Sequence, residues 1–152
     1  MYIWRTSDLS EDIKNDTLSD NEWKNYYLAG SILLTIAMYI SMLTPTSDML
    51  VVLFEAIVIV GVIIFGVSIT FNTNQAGNGT GMNYIARVTA LSLPILVRLF
   101  VLSLVLGIFL GFCSEILSFP MSMQNWLMMA LTVLIEVLFF WRLNLHLQYI
   151  NS

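Results

Sequence analysis

The sequence predicts an all-α membrane protein, with four transmembrane helices arranged as an up-down-up-down bundle. Three observations predict it. Of the 152 residues, 58% are hydrophobic and 11% charged, with a mean hydropathy of +0.82, whereas a soluble domain carries about 25% charged residues. A domain of this size leaves too much surface exposed to hide so many apolar side chains from water, so lipid is the expected solvent. Four segments reach the roughly 20 apolar residues that a bilayer crossing takes, and the basic residues alternate with those segments.

Residues 1–22 read as a polar acidic tail and 23–152 as the transmembrane domain. The first 25 residues hold Asp8, Glu11, Asp12, Asp16, Asp20 and Glu22 against Arg5, Lys14 and Lys24. That balance disfavours nucleic acid and anionic lipid surfaces as partners of the tail. It also differs from the basic start of a signal peptide, so the first apolar segment is expected to remain as an anchor.

The first span is expected at 26–43. Ser19 and Glu22 have the S-x-x-E spacing of a capping box, so the helix should begin near Asp20 in water. Trp23, Tyr26 and Tyr27 suit the headgroup level. Pro45 stops the helix, TPTSD turns the chain, and Ser47 or Asp48 can cap the next helix. The second span, 49–71, is rich in Val and Ile but far too long for a strand.

The next apolar region runs from Tyr84 to Leu117 and would be about 50 Å long as one helix, against a hydrocarbon core of about 30 Å. Pro94 offers a break. The third span is therefore expected at 94–114, preceded by an interfacial lead-in from Met82 to Leu93. SFPMS turns the chain, and the fourth span covers 124–145, between Trp126 and Trp141 with Arg142.

Lys and Arg beside membrane spans stay cytoplasmic. The amino tail carries Arg5, Lys14 and Lys24, the middle connection leads to Arg87 and Arg98, and the carboxyl end has Arg142. The other two connections carry Asp48 and Glu115 without Lys or Arg. Both termini and the middle connection are expected in the cytoplasm.

That middle connection, NTNQAGNGTGMNY, has alternating Gly77, Gly79 and Gly81. It lacks the lysine of a phosphate-binding P-loop and the strand and spacing of a dinucleotide-binding loop, so no nucleotide is expected. It reads as a solvated hinge. Arg87 and Arg98 lie eleven residues apart, about three helical turns, and share a face if the helix is straight.

Ionisable groups inside a span face protein or water and mark function. Glu55, Arg98 and Glu136 are the candidates. An Arg98–Glu136 pair would fix the third span on the fourth; alternatively Arg98 snorkels to the inner headgroups and Glu136 is protonated or faces water. Glu55 either serves proton or cation coupling or is a neutral group hydrogen-bonded to a neighbouring helix. Glu55, Ile59, Val62 and Gly66 form one helical stripe, expected to face the bundle. Gly107 and Gly111 form a G-x-x-x-G that allows close helix approach, within the chain or to a second copy. Cys113 is a lone packing residue, His146 a polar helix end, and the nine methionines adaptable filler. No catalytic, metal or cofactor constellation is present at motif spacing.

The stretch FEAIVIVGVIIFGVSITFN, followed by NQAGNGTGMNYIARVTALSLPILVRLF, resembles a loose group of short bacterial four-span proteins. The likeness covers about residues 54–110: an early acid, a glycine-containing polar loop, Tyr84 three residues before Arg87, an LS-x-P step and Arg98. It implies the bacterial inner membrane and brings no activity. Two functions are open: a non-enzymatic protein that contacts another membrane protein, such as an immunity-type or accessory protein, or a small oligomeric transporter or channel using Glu55 or Glu136.

Overall fold

The computed structural model describes residues 4–42, 49–77 and 81–152, which form five helices and no strand. They are α1 (Thr6–Lys14), α2 (Asp20–Met42), α3 (Met49–Ala76), α4 (Gly81–Ile116) and α5 (Met121–Asn151). Among the described residues, three helices are long and apolar enough to cross a membrane: α3, α4 from Asn83, and α5. Much of their apolar surface faces outward. On α3, Ile57 is 72% exposed and Phe65 69%, an apolar area that water would not tolerate and lipid would.

Local chemistry explains the boundaries. The α2 start is a reciprocal capping box: the Ser19 N–H donates to Glu22 Oε2 at 3.0 Å, and the Glu22 N–H donates to Ser19 Oγ at 3.4 Å. In α3 the hydroxyls of Ser68 and Thr70 donate back to the carbonyls of Ile64 and Gly66 at 2.7 and 2.8 Å. Polar side chains thereby satisfy themselves inside an apolar helix. After α4, the N–H of Phe119 reaches the Ser114 carbonyl at 2.9 Å and that of Ser118 the Glu115 carbonyl at 3.2 Å. Ser118 takes φ 51, so this helix end is a Schellman motif with serine in the left-handed position. Asp16 (φ 53) closes α1 with the same pattern. Pro120 then precedes α5 in an extended conformation.

The expected break at Pro94 is absent. Pro94 lies inside the continuous 36-residue α4 and is fully buried. A proline inside a helix loses one hydrogen bond and presses on the carbonyl four residues back, here that of the small, fully buried Ala90. Breaking the helix would leave more backbone groups unsatisfied in an apolar setting, which is worse. The expected lead-in and third span are thus one rod of about 54 Å.

The packing order also departs from the simplest bundle. α5 lies between α3 and α4, and α2 packs on α4. Among the described residues α2 and α3 do not pack on each other, although they are consecutive. The turn expected at 44–48 lies outside the described residues. α3 and α5 run parallel: Phe54 meets Trp126 at one end, and Thr73 meets Asn144 near the other. α4 runs antiparallel to both, since Arg87 reaches Asn74 and Asn151. Side-chain volume decides the partner. Gly66 leaves room for the Phe140 ring, which draws α3 onto α5. The α2 residues Tyr26, Trp23, Ala29 and Leu33 join the core formed by Ala90, Leu91 and their neighbours on α4.

The acidic tail packs on the helical domain. Thr6, Leu9, Ser10 and Ile13 form the buried face of α1, which sits against α4 and α5. Its direction follows that of α5: Ser10 meets His146, and Lys14 lies over the Tyr149 ring at 5.1 Å.

Candidate functional site

One end of the helices collects the polar chemistry. It holds α1, the starts of α2 and α4, and the ends of α3 and α5. Asp20 and Trp23 share a cleft there with Asn83 and Arg87.

The first polar group is a clasp between α3, α4 and α5. Arg87 Nη1 donates to Asn74 Oδ1 at 2.9 Å and to Asn151 Oδ1 at 3.2 Å. Asn151 Nδ2 donates to the Thr73 carbonyl at 2.6 Å, and Thr73 Oγ1 donates to Asn144 Oδ1 at 2.7 Å. The Thr70 and Tyr84 hydroxyls lie 2.9 Å apart. Asn74 and Thr70 are fully buried, and buried polar atoms need such partners. Gly77 matters here for space, because a Cβ would overlap the Asn151 side chain. The clasp takes up the candidate Arg87 as a structural donor and joins both sides of the middle connection. Gly79 lies outside the described residues.

The second group surrounds a cavity of about 230 Å³ between α1, α4 and α5, lined by Thr6, Arg98, Trp141, Arg142 and His146 with Ile95, Leu99, Leu102 and Leu138. The Arg98 guanidinium lies 5.7 Å from the Trp4 ring centroid, and that of Arg142 lies 5.6 Å from Trp141. Such cation–π contacts hold a charge without neutralising it. The Ser10 hydroxyl donates to the Thr6 carbonyl at 2.8 Å and lies 2.8 Å from His146 Nδ1. With its proton so used, Ser10 accepts from the imidazole, which sets the tautomer.

Of the two alternatives for Arg98 and Glu136, the pair does not form; the one ion pair among the described residues is Arg5–Asp8, at 3.4 Å. Arg87–Asn151 and the Arg98–Arg142 cavity define the α4–α5 register. In it Glu136 faces roughly position 102, one turn beyond Arg98. The long Arg98 stem goes the other way, to the end where Trp4 covers it. Arg87 and Arg98 do share the face turned to α5, as their spacing predicts.

Glu55, Ile59 and Val62 are half-buried and Gly66 is buried, while Phe54, Ile57, Val60 and Ile64 are exposed. The stripe faces inward as the helical period requires. Glu136 is also half-buried. Among the described residues neither Glu55 nor Glu136 has a hydrogen-bond or ion-pair partner. The α3–α5 register sets them roughly eight residues, or about 12 Å, apart along the axis, so they are not one site. A Cβ at Gly107 or Gly111 would meet nothing within 4 Å, so the G-x-x-x-G makes no close helix contact in this chain. Among the described residues no His, Cys, Asp or Glu group is placed to hold a metal.

Sequence reasoning missed Trp4, Thr6 and Ser10 as partners of the cavity. Their signal was the 6, 9, 10, 13 periodicity inside a tail read by charge alone. Asn74, Asn144 and Asn151 were also missed, since each gains meaning only from a helix distant in sequence. No protein family, curated protein or solved structure matches this chain.

Proposed function

We propose that the chain is a small four-span protein of the bacterial inner membrane, with both termini cytoplasmic, that acts without enzymatic chemistry by contact with another membrane protein. The observation that carries this reading is the half-buried carboxyl of Glu136, without a partner among the described residues and beside the exposed apolar Leu134 and Val137. Ionisable groups at such depth need a polar counterpart, and a partner helix supplies one. Gly107 and Gly111 line a small cleft of about 160 Å³ that they share with Gln124, Leu127 and Met128 of α5. The gathering of Arg5, Lys14, Lys24, Arg87, Arg98 and Arg142 toward one end supports the orientation. The resemblance of residues 54–110 to short bacterial four-span proteins supports the location. An immunity-type or accessory role fits this description.

A photocrosslinking residue at Ile108 tests it in cells. A discrete adduct with another membrane protein, weakened by Glu136→Leu, is expected. Adducts with lipid alone would refute it. The alternative, an oligomeric transporter, predicts ion or solute uptake by the purified protein in liposomes, lost in Glu55→Gln or Glu136→Gln.

A further inference from the structure

The cavity under α1 has a charge pattern that the helices do not balance. Arg98 and Arg142 both line it, with His146 beside them, and among the described residues no carboxylate does. Among the described residues, Arg98 Nε is buried with no hydrogen-bond partner, and so is the hydroxyl of Thr6, a residue with no exposed surface. Orphaned buried donors are rare in folded proteins, because each forgoes its hydration without compensation. Thr6 is also the first residue of α1, whose preceding residue Arg5 makes no side-chain cap. The free N–H groups and positive dipole end of α1 therefore add to the positive field. The first-turn acid Asp8 is engaged by Arg5.

An anion at the centre would satisfy all of these groups at once. Paired guanidinium groups fit phosphate oxygens best, through forked charge-assisted hydrogen bonds. The volume, about 230 Å³, is below that of a drug-sized pocket (roughly 300–1,000 Å³) and takes a compact headgroup-sized ion. Trp4 and Trp141 flank it, as aromatic residues do at a membrane interface.

We propose that this cavity binds an anionic phosphate group, held by Arg98 and Arg142 and by the Thr6 hydroxyl at the start of α1. The group is either the headgroup of an anionic phospholipid or free phosphate. Basic pockets between spanning helices bind such headgroups. The acidity of the tail does not oppose this, because α4 and α5 supply the cations and the tail supplies the hydroxyl and helix end. The site does not depend on the proposed partner protein, and only the lipid source depends on the proposed membrane location.

The test uses the full chain, purified and delipidated in neutral detergent. Its thermal midpoint is followed against dioleoylphosphatidylglycerol or dioleoylphosphatidylcholine, and separately against inorganic phosphate or chloride at matched ionic strength. Phosphatidylglycerol or phosphate should raise the midpoint while phosphatidylcholine and chloride do not, and whichever of the two acts identifies the source. Arg142→Gln, at an exposed residue, and Thr6→Val should each raise the half-effective concentration, Arg142→Gln by about tenfold. Arg98→Gln should do so at least as strongly. Lys24→Gln, outside the cavity, should leave it unchanged. No shift with either anion, or an equal shift in Arg142→Gln and Arg98→Gln as in the unaltered chain, would overturn the proposal.

Discussion

The Ser10 hydroxyl and His146 Nδ1 lie 2.8 Å apart, across 136 residues of sequence. This contact, with buried Leu9 and Ile13, fastens α1 to the end of α5. Ser10→Ala removes one partner of a half-buried imidazole and should weaken the docking of α1 by about 1 kcal/mol. Leu9→Ala should weaken it by about 2–4 kcal/mol. Limited trypsin digestion reads the docking directly, because Lys14 closes α1: cleavage there should accelerate in both variants, more in Leu9→Ala. Unchanged cleavage in Leu9→Ala would mean that α1 is not held as described.

Gly66 and Gly61 lie on the same helix but differ in surroundings. A Cβ at Gly66 would overlap the Phe140 ring, whereas one at Gly61 meets nothing within 4 Å. Gly66→Leu should destabilise the α3–α5 pair by about 1–3 kcal/mol or more, as overpacking does. Gly61→Leu should stay within about 0.5 kcal/mol of the wild type. Thermal unfolding in detergent separates the two, and equal effects would contradict the α3–α5 register.

Ser118 closes α4 at φ 51, where a Cβ is unfavourable and glycine is at ease. Its exposed side chain loses little when removed. Ser118→Gly should therefore raise stability by about 0.5–1 kcal/mol. A fall in the thermal midpoint would show that this left-handed turn is not populated.

Glu22 supplies a pH dependence. The Ser19 backbone N–H first, and its hydroxyl second, hold the Glu22 carboxyl below its ordinary value of 4.5. For a carboxyl lowered in this way, the stabilisation is present above the unfolded value and is lost as pH falls through the folded one. Amides in the first turn of α2 should exchange faster, relative to their intrinsic rates, once pH drops below 4.5. In Glu22→Gln that acid-dependent step should vanish, and its persistence would contradict the capping box.

Features set by neighbours in the chain were legible in the sequence. The Ser19–Glu22 box placed the start of α2, and the 55, 59, 62, 66 spacing placed the inward face of α3. The shared α5-facing side of Arg87 and Arg98 followed from eleven residues of helix. Pro94 misled because the proline rule is calibrated where water can take up freed backbone groups. Whether Arg98 pairs with Glu136 was left open because depth alone cannot say which way a long side chain extends; the Arg98 guanidinium lies over the ring of Trp4, a residue distant in sequence. The α2–α4–α5–α3 order was hidden because it rests on the fit of Gly66 to Phe140 and on Tyr26 joining the core that α4 shares.

Single-cysteine labelling most directly tests the four-span reading. In a Cys113→Ser background, cysteines replace Asp16, Ser152 and Met121, and intact cells receive a membrane-impermeant maleimide. The reading predicts labelling of Met121→Cys in intact cells, and of Asp16→Cys and Ser152→Cys only after the inner membrane is opened. Labelling of Asp16→Cys in intact cells, with Ser152→Cys still protected, would place the amino tail outside and contradict a crossing by α2.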